Sequence, residues 1–192
     1  MFDLEKMGNT LQQTLSSKRF LHTQGVMYTS AALAMRYGVN LQAAMIAGLL
    51  HDCGKYGSFD EQIRRCQQLG VELSVAEQEI KSLVHAPLGA YLAEHEYHVG
   101  EQHVLDAIRY HSTGRPKMSL LEKIIYLADF IEPNRIFFPE LEEIRKLAFI
   151  DINRAVAQSA ASTISFLHQS GRAIDPKTIQ TLEYYGGKQK DE

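Results

Sequence analysis

Residues 41–55 read LQAAMIAGLLHDCGK, an apolar run that ends abruptly in His51, Asp52 and, after Cys53 and Gly54, Lys55. The run from Ala43 to Leu50 is far shorter than the ~20 apolar residues a membrane span requires, so it reads as a buried helix. Ala44, Ala47 and Gly48 form its inner stripe, and side chains this small let a second helix approach closely. The polar end of the segment is thereby carried deep into a helical bundle. A buried His-Asp pair is costly unless something compensates its polarity, and a metal ion does so.

Outward from this segment, the signals are helical. Ser58 with Glu61, Ser74 with Glu77 and Ser119 with Glu122 have capping-box spacing, in which hydroxyl and carboxylate satisfy orphan backbone donors. Asn40 caps the apolar helix, and Asp175-Pro176 is an N-cap followed by proline at the first helical position. Gly38, Gly70, Gly171 and Gly186-Gly187 fall where helices stop. Helices are predicted near 4–16, 20–37, 41–53, 59–69, 75–82, 86–97, 101–111, 120–132, 140–147, 151–169 and 176–185. No stretch alternates with period two between hairpin turns, so a sheet is not expected. Neither a repeat nor a low-complexity linker interrupts the pattern, and the tail 188–192 is expected to fray.

The chain has 192 residues, 45% of them hydrophobic, which suits one domain, 1–192, with a core at about 15–185. A formal net charge of -3 gives no global basic field for nucleic acid or an anionic membrane, so phosphate recognition must be local. The first residues contain no apolar signal core. Cys53 and Cys66 form neither a CxxC pair nor a disulfide framework, and the reading is a reducing cytoplasm.

Eight histidines are more than packing requires. His22 shares a helical face with Val26, Thr29 and Leu33 and therefore points inward. Asp129 lies in an apolar run, 124–131, where a carboxylate needs a cation, a hydrogen-bond network or water. His85 precedes the Ala86-Pro87 helix start, and His111 closes a helix before Ser112, Thr113 and Gly114. Helix ends aim side chains into shared clefts, so four histidines and two aspartates on five segments are candidates to converge. Such mixed donors suit iron, manganese or zinc. The bland reading of a single inward histidine is a hydrogen-bonded core residue. His95, His98 and His103, among Glu94, Glu96 and Glu101, read as a solvated face, and His168 as a partner of a helix dipole. Cys53 reads as structural.

The ordered set His22, His51-Asp52, His85, His111, Asp129 resembles the signature of the binuclear HD-domain superfamily. RFLHT at 19–23, HDCGK at 51–55, HAPLGA at 85–90, HSTGR at 111–115 and ADFIEPNR at 128–135 are similar to the bacterial YqeK family over about residues 15–185. The resemblance implies an all-α HD-domain helical bundle and a symmetrical diadenosine tetraphosphate hydrolase. It implies that His22, His51, Asp52 and Asp129 bind one metal, with Asp52 bridging to a second held by His85 and His111. Iron is the first expectation for the two ions, manganese the second. Cys53 and Gly54 sit at positions that vary within the family, so they put nothing essential in the resemblance in doubt.

Catalysis is then expected from water acidified between two metals bridged by Asp52, giving ADP as the product. Lys55 is the first candidate for contacting phosphate, in a catalytic as well as a binding role. Arg135, turned back by Pro133-Asn134, is the second, with Arg115 beside the Thr113-Gly114 turn and Arg19 next. Competing readings are an HD phosphohydrolase of another nucleotide (a deoxynucleotide, a cyclic dinucleotide or guanosine tetraphosphate) and a nucleotide-sensing module with a degraded site. The absence of a GYP motif weighs against the cyclic dinucleotide. The full ligand set weighs against a degraded site, and structural zinc would favour cysteine-rich tetrahedra. The expected partner is a small nucleotide, with homodimer formation through helix faces consistent with a small helical enzyme.

Overall fold

A computed structural model describes residues 3–136 and 138–187. The tail 188–192, expected to fray, lies outside them. The described residues form helices and connecting turns with no strand: α1 (Leu4–Thr14), α2 (Ser17–Tyr37), α3 (Leu41–Leu50), α4 (Phe59–Leu69), α5 (Val75–Glu79), α6 (His85–His95), α7 (Gln102–Tyr110), α8 (Leu120–Ile131), α9 (Leu141–Ala148), α10 (Ile152–Gln169) and α11 (Pro176–Gly186).

The boundaries follow local chemistry. All three expected capping boxes form, at Ser58/Glu61, Ser74/Glu77 and Ser119/Glu122. Asn40 accepts from the Ala43 amide, and Asp175 from that of Lys177 ahead of Pro176. Gly38 and Gly70 close α2 and α4 in the left-handed region that glycine enters without a Cβ penalty. Three ends differ from expectation by three residues, and one of them is that of α5, which stops at Glu79 where 82 was expected. α2 begins three residues earlier than predicted, because the Ser16 hydroxyl accepts the Arg19 amide and caps it there. α3 gives way after Leu50 to a tighter turn, with the amides of Cys53 and Lys55 donating to the carbonyls of Leu50 and Asp52.

Helix α3 packs against α2, α7 and α8, and Ala43, Ala44, Ile46, Ala47, Gly48, Leu49 and Leu50 are all buried. A helix apolar on every side belongs at the centre of a bundle. Gly48 shows how closely α2 approaches: a Cβ there would lie 2.8 Å from Ser30 Oγ and 2.9 Å from Met27 Cα. Gly54 makes the same point at a position the sequence reading left unassigned. A Cβ on Gly54 would collide with the His85 carbonyl and lie 2.7 Å from the Gly89 nitrogen, so α6 presses backbone to backbone on the turn after His51-Asp52. Helix α8, buried through Leu121, Ile124, Ile125, Leu127 and Ala128, packs on α2, α7 and α10. No helix among the described residues is long and apolar enough to cross a membrane.

Candidate metal centre

Two of the four histidines are aimed by one device. His51 and His111 each directly follow a helix, α3 and α7, and their Nδ1 atoms lie 2.7 Å from the carbonyls of Gly48 and Ile108, three residues back. Those carbonyls belong to last turns whose acceptors would otherwise lack a partner. A carbonyl has no hydrogen to give, so each Nδ1 carries the proton and each Nε2 presents a lone pair beyond the helix end. His22, in the second turn of α2, is oriented by Glu132, whose Oε1 lies 3.0 Å from its Nδ1. His85 is the first residue of α6, and Asp129 comes from the last turn of α8.

The six side chains meet. His22 Nε2 is 3.0 Å from Asp129 Oδ1 and 3.3 Å from His51 Nε2. His85 Nε2 and His111 Nε2 are 3.1 Å apart. Asp52 lies between the two groups with its oxygens divided. Oδ2 faces His51 at 3.5 Å and His22 at 3.8 Å, while Oδ1 faces His85 at 3.2 Å and His111 at 3.7 Å. Among the described residues, His22, His51 and Asp129, and separately His51, Asp52 and His111, each bring one donor atom within 4.8 Å of the others.

The donor chemistry fits cations. Ring lone pairs and carboxylate oxygens that face one another at 3.0–3.8 Å repel unless a proton or a metal ion lies between them. Asp52 Oδ1 is buried without a hydrogen bond, the kind of orphan that a buried polar group rarely remains. Burial alone would raise the Asp52 carboxyl, but the histidine side chains around it and the charge of Lys55 hold it well below the usual range. At Asp129 burial is likewise outweighed, first by the charge of Arg135 and then by the neighbouring His22. His85 is pushed down to about 3, first by burial and then by the charge of Lys55, against the pull of Asp52. It is therefore a free imidazole at neutral pH, the form that ligates metals.

The cations expected to meet phosphate divide. Lys55 Nζ lies 3.5 Å from Asp52 Oδ1, and Arg135 Nη2 lies 2.6 Å from Asp129 Oδ1. Both line a cavity of about 250 Å³, together with His85, His111 and Asp129. Arg19 Nη1 donates to Asp52 Oδ2 at 2.8 Å. Arg115 is not brought there. Its guanidinium binds Glu122 Oε1 at 2.6 Å and Asp106 Oδ2 at 3.0 Å and lies over the Tyr110 ring. Nor do Thr113 and Gly114 reach the cavity, because this segment docks α11. The Thr113 hydroxyl donates to the Gly114 carbonyl, and the Thr113 carbonyl accepts from Thr181.

Two residues at the centre were missed in the sequence. Glu132 is buried and orients His22 while accepting from the backbone and side-chain nitrogens of Asn134. Its signal was a carboxylate three residues after Asp129, at the end of the same buried helix. Ser112 Oγ lies 3.0 Å from His111 Nε2 and 3.3 Å from His85 Nε2, and nothing in the sequence distinguished it from any polar residue after a helix. His95, His98 and His103 are exposed, as read, and so is His168. The Cys53 thiol is buried, donates to the Gly89 carbonyl, and is pushed above its ordinary range by burial.

The HD domain family matches residues 19–134, a span containing all six candidate ligands. A relative from Bacillus subtilis (strain 168) named "Bis(5'-nucleosyl)-tetraphosphatase, symmetrical" is 43% identical over 176 residues, which are 91% of this chain and 92% of the relative. One of the same name from Halalkalibacterium halodurans is 42% identical over 171 residues, covering 87% of this chain and 88% of that one. A crystal structure described as a "predicted HD superfamily hydrolase involved in NAD metabolism" from Clostridium acetobutylicum superposes with a TM-score of 0.92. It is 39% identical and covers 98% of this chain and 100% of its own.

Proposed function

The chain belongs to the HD-domain family, on its YqeK-type branch, and from that premise we propose that it cleaves diadenosine tetraphosphate symmetrically to ADP at a centre of two divalent metal ions. His22, His51, Asp52 and Asp129 would hold one ion, and Asp52, His85 and His111 the other. Iron suits this imidazole-carboxylate set first, with manganese the alternative. The reading is carried by the division of Asp52, one oxygen toward His22 and His51 and the other toward His85 and His111.

When bound, such ions supply Lewis acidity, bringing the pKa of water toward neutrality and offsetting charge on the attacked phosphate. The protein's own residues position the substrate, because phosphoanhydride cleavage is mainly a matter of placement and charge neutralisation. Lys55 and Arg135 place positive charge on the cavity wall beside the ligand set. Arg19 adds a cation on the Oδ2 side of Asp52. One water adds across the bond between the central bridging oxygen and a flanking phosphorus, so both halves leave as ADP. The reading includes one domain over residues 1–192, a cytoplasmic setting, no nucleic-acid partner and homodimer formation.

Elemental analysis of the purified protein is expected to find about two transition-metal equivalents. Asp52→Ala is expected to lose both metal and turnover, and turnover retained in that variant would refute the assignment. Incubation with diadenosine tetraphosphate should release ADP alone; AMP together with ATP would contradict symmetrical cleavage.

A further inference from the structure

The cavity above the ligand set has two unlike walls. One carries Lys55, His85, His111, Asp129 and Arg135. The other is aromatic and comes from elements that supply no candidate ligand: Phe138 ahead of α9, Phe166 in the last turns of α10, and Arg172 in the loop to α11. Phe138 stacks on Phe130 at 4.6 Å between centroids and meets Phe166 edge-on at 5.7 Å. The Arg172 guanidinium lies 5.7 Å from the Phe166 centroid.

Phe166 is 43% exposed although it borders a polar site. An aromatic ring that lines a polar cavity and is still partly in water offers a face for a ligand to cover. The surroundings are set firmly enough to present it. The Ser170 hydroxyl donates to the carbonyls of Phe166 and Leu167, Gly171 turns in the left-handed region at φ 63°, and the Arg172 amide donates to the Leu167 carbonyl. Aromatic faces and guanidinium planes are the surfaces on which nucleobases stack. The cavity, about 250 Å³, is smaller than the roughly 300–1,000 Å³ of a cleft enclosing a whole drug-sized ligand. It does not enclose a whole dinucleoside tetraphosphate, so part of such a ligand lies outside it.

We infer that Phe166, with Phe138 behind it and Arg172 across it, is a base-stacking subsite that takes one nucleoside of the substrate, leaving the other nucleoside outside the cavity. The inference rests on the nucleotide-hydrolase reading for its ligand class but not for the reaction. Stacking recognises the face of a base rather than its hydrogen-bonding edge, so adenine and guanine nucleotides should bind alike.

The test compares ADP, GDP and pyrophosphate binding to the metal-loaded protein by calorimetry, with metal content measured for every variant. Phe166→Ala and Arg172→Ala are expected to weaken ADP and GDP about tenfold, as loss of a base stack does, while leaving pyrophosphate affinity unchanged. Phe166→Tyr should restore nucleotide affinity. Equal weakening of pyrophosphate and ADP, or no change in either, would overturn the subsite. If the wild-type protein binds ADP in this Phe166-dependent way yet leaves diadenosine tetraphosphate intact, the subsite stands and the proposed reaction fails. If the tetraphosphate is cleaved while ADP binds no more tightly than pyrophosphate, the reaction stands and the subsite fails.

Discussion

His22 is engaged on both ring nitrogens: Nδ1 faces Glu132 Oε1 at 3.0 Å, and Nε2 faces Asp129 Oδ1 at the same distance. The Glu132 contact fixes which nitrogen is free to ligate, a role that a carboxylate behind a ligand histidine commonly fills. Gly25 makes room for it, because a Cβ there would lie 2.5 Å from Glu132 Oε2. Glu132→Ala is therefore expected to lower metal affinity about 10- to 100-fold while the helical circular dichroism is kept. A metal titration giving the wild-type affinity would show that His22 is oriented by something else. At this scale the sequence was legible where residue type and neighbours agreed, as for His51-Asp52 at the end of an apolar helix. It was silent on Ser112, because a hydroxyl 3.0 Å from one ring nitrogen and 3.3 Å from another is a fact of tertiary placement.

Most helix ends were legible because caps are local chemistry. Ser119 and Glu122 close their box within four residues of chain, whatever packs above them. Contacts between elements were less legible. The small stripe of α3 foretold a close neighbour, and α2 fills that place at Gly48. Gly54 carried no comparable signal, since only the fold brings His85 and Gly89 against it. Gly54→Ala should force α6 away from the turn bearing Asp52 and cost roughly 3 kcal/mol, at the upper end of overpacking penalties. Urea denaturation measures this, and a midpoint within error of wild type would show that the two backbones separate freely. Arg115 taught the converse. Its place after a glycine turn suggested a phosphate contact, but Glu122 on α8 and Asp106 on α7 lie close enough to claim it. A buried carboxylate such as Glu122 needs its cation more than a surface arginine needs a ligand.

At the scale of the molecule, the candidate ligands tie α2, the end of α3, α6, the end of α7 and α8 to one point. Anything that binds this arrangement and not the unfolded chain stabilises the fold by mass action. Removing metal with a chelator is accordingly expected to lower the melting temperature by roughly 5–10 °C, recovered on adding iron or manganese under reducing conditions. A melting temperature indifferent to chelator would show that the bundle holds its histidines together without metal.

The sequence by itself determined the helical class, most helix ends and the identity of six candidate ligands. Those rest on periodicity, caps and residue chemistry, which act over a few residues of chain. Only the tertiary structure decided how Asp52 divides its oxygens between two pairs of histidines, which cations reach the cavity, and that aromatic residues from α10 and its neighbours line it. These depend on contacts between residues far apart in the chain, as His22 and Glu132 are at 110 positions, and packing sets such distances without leaving a local mark in the chain. His51-Asp52 was visible as a pair. Its bridging place between two clusters was an implication of the family resemblance, and the distances that realise it come from the fold alone.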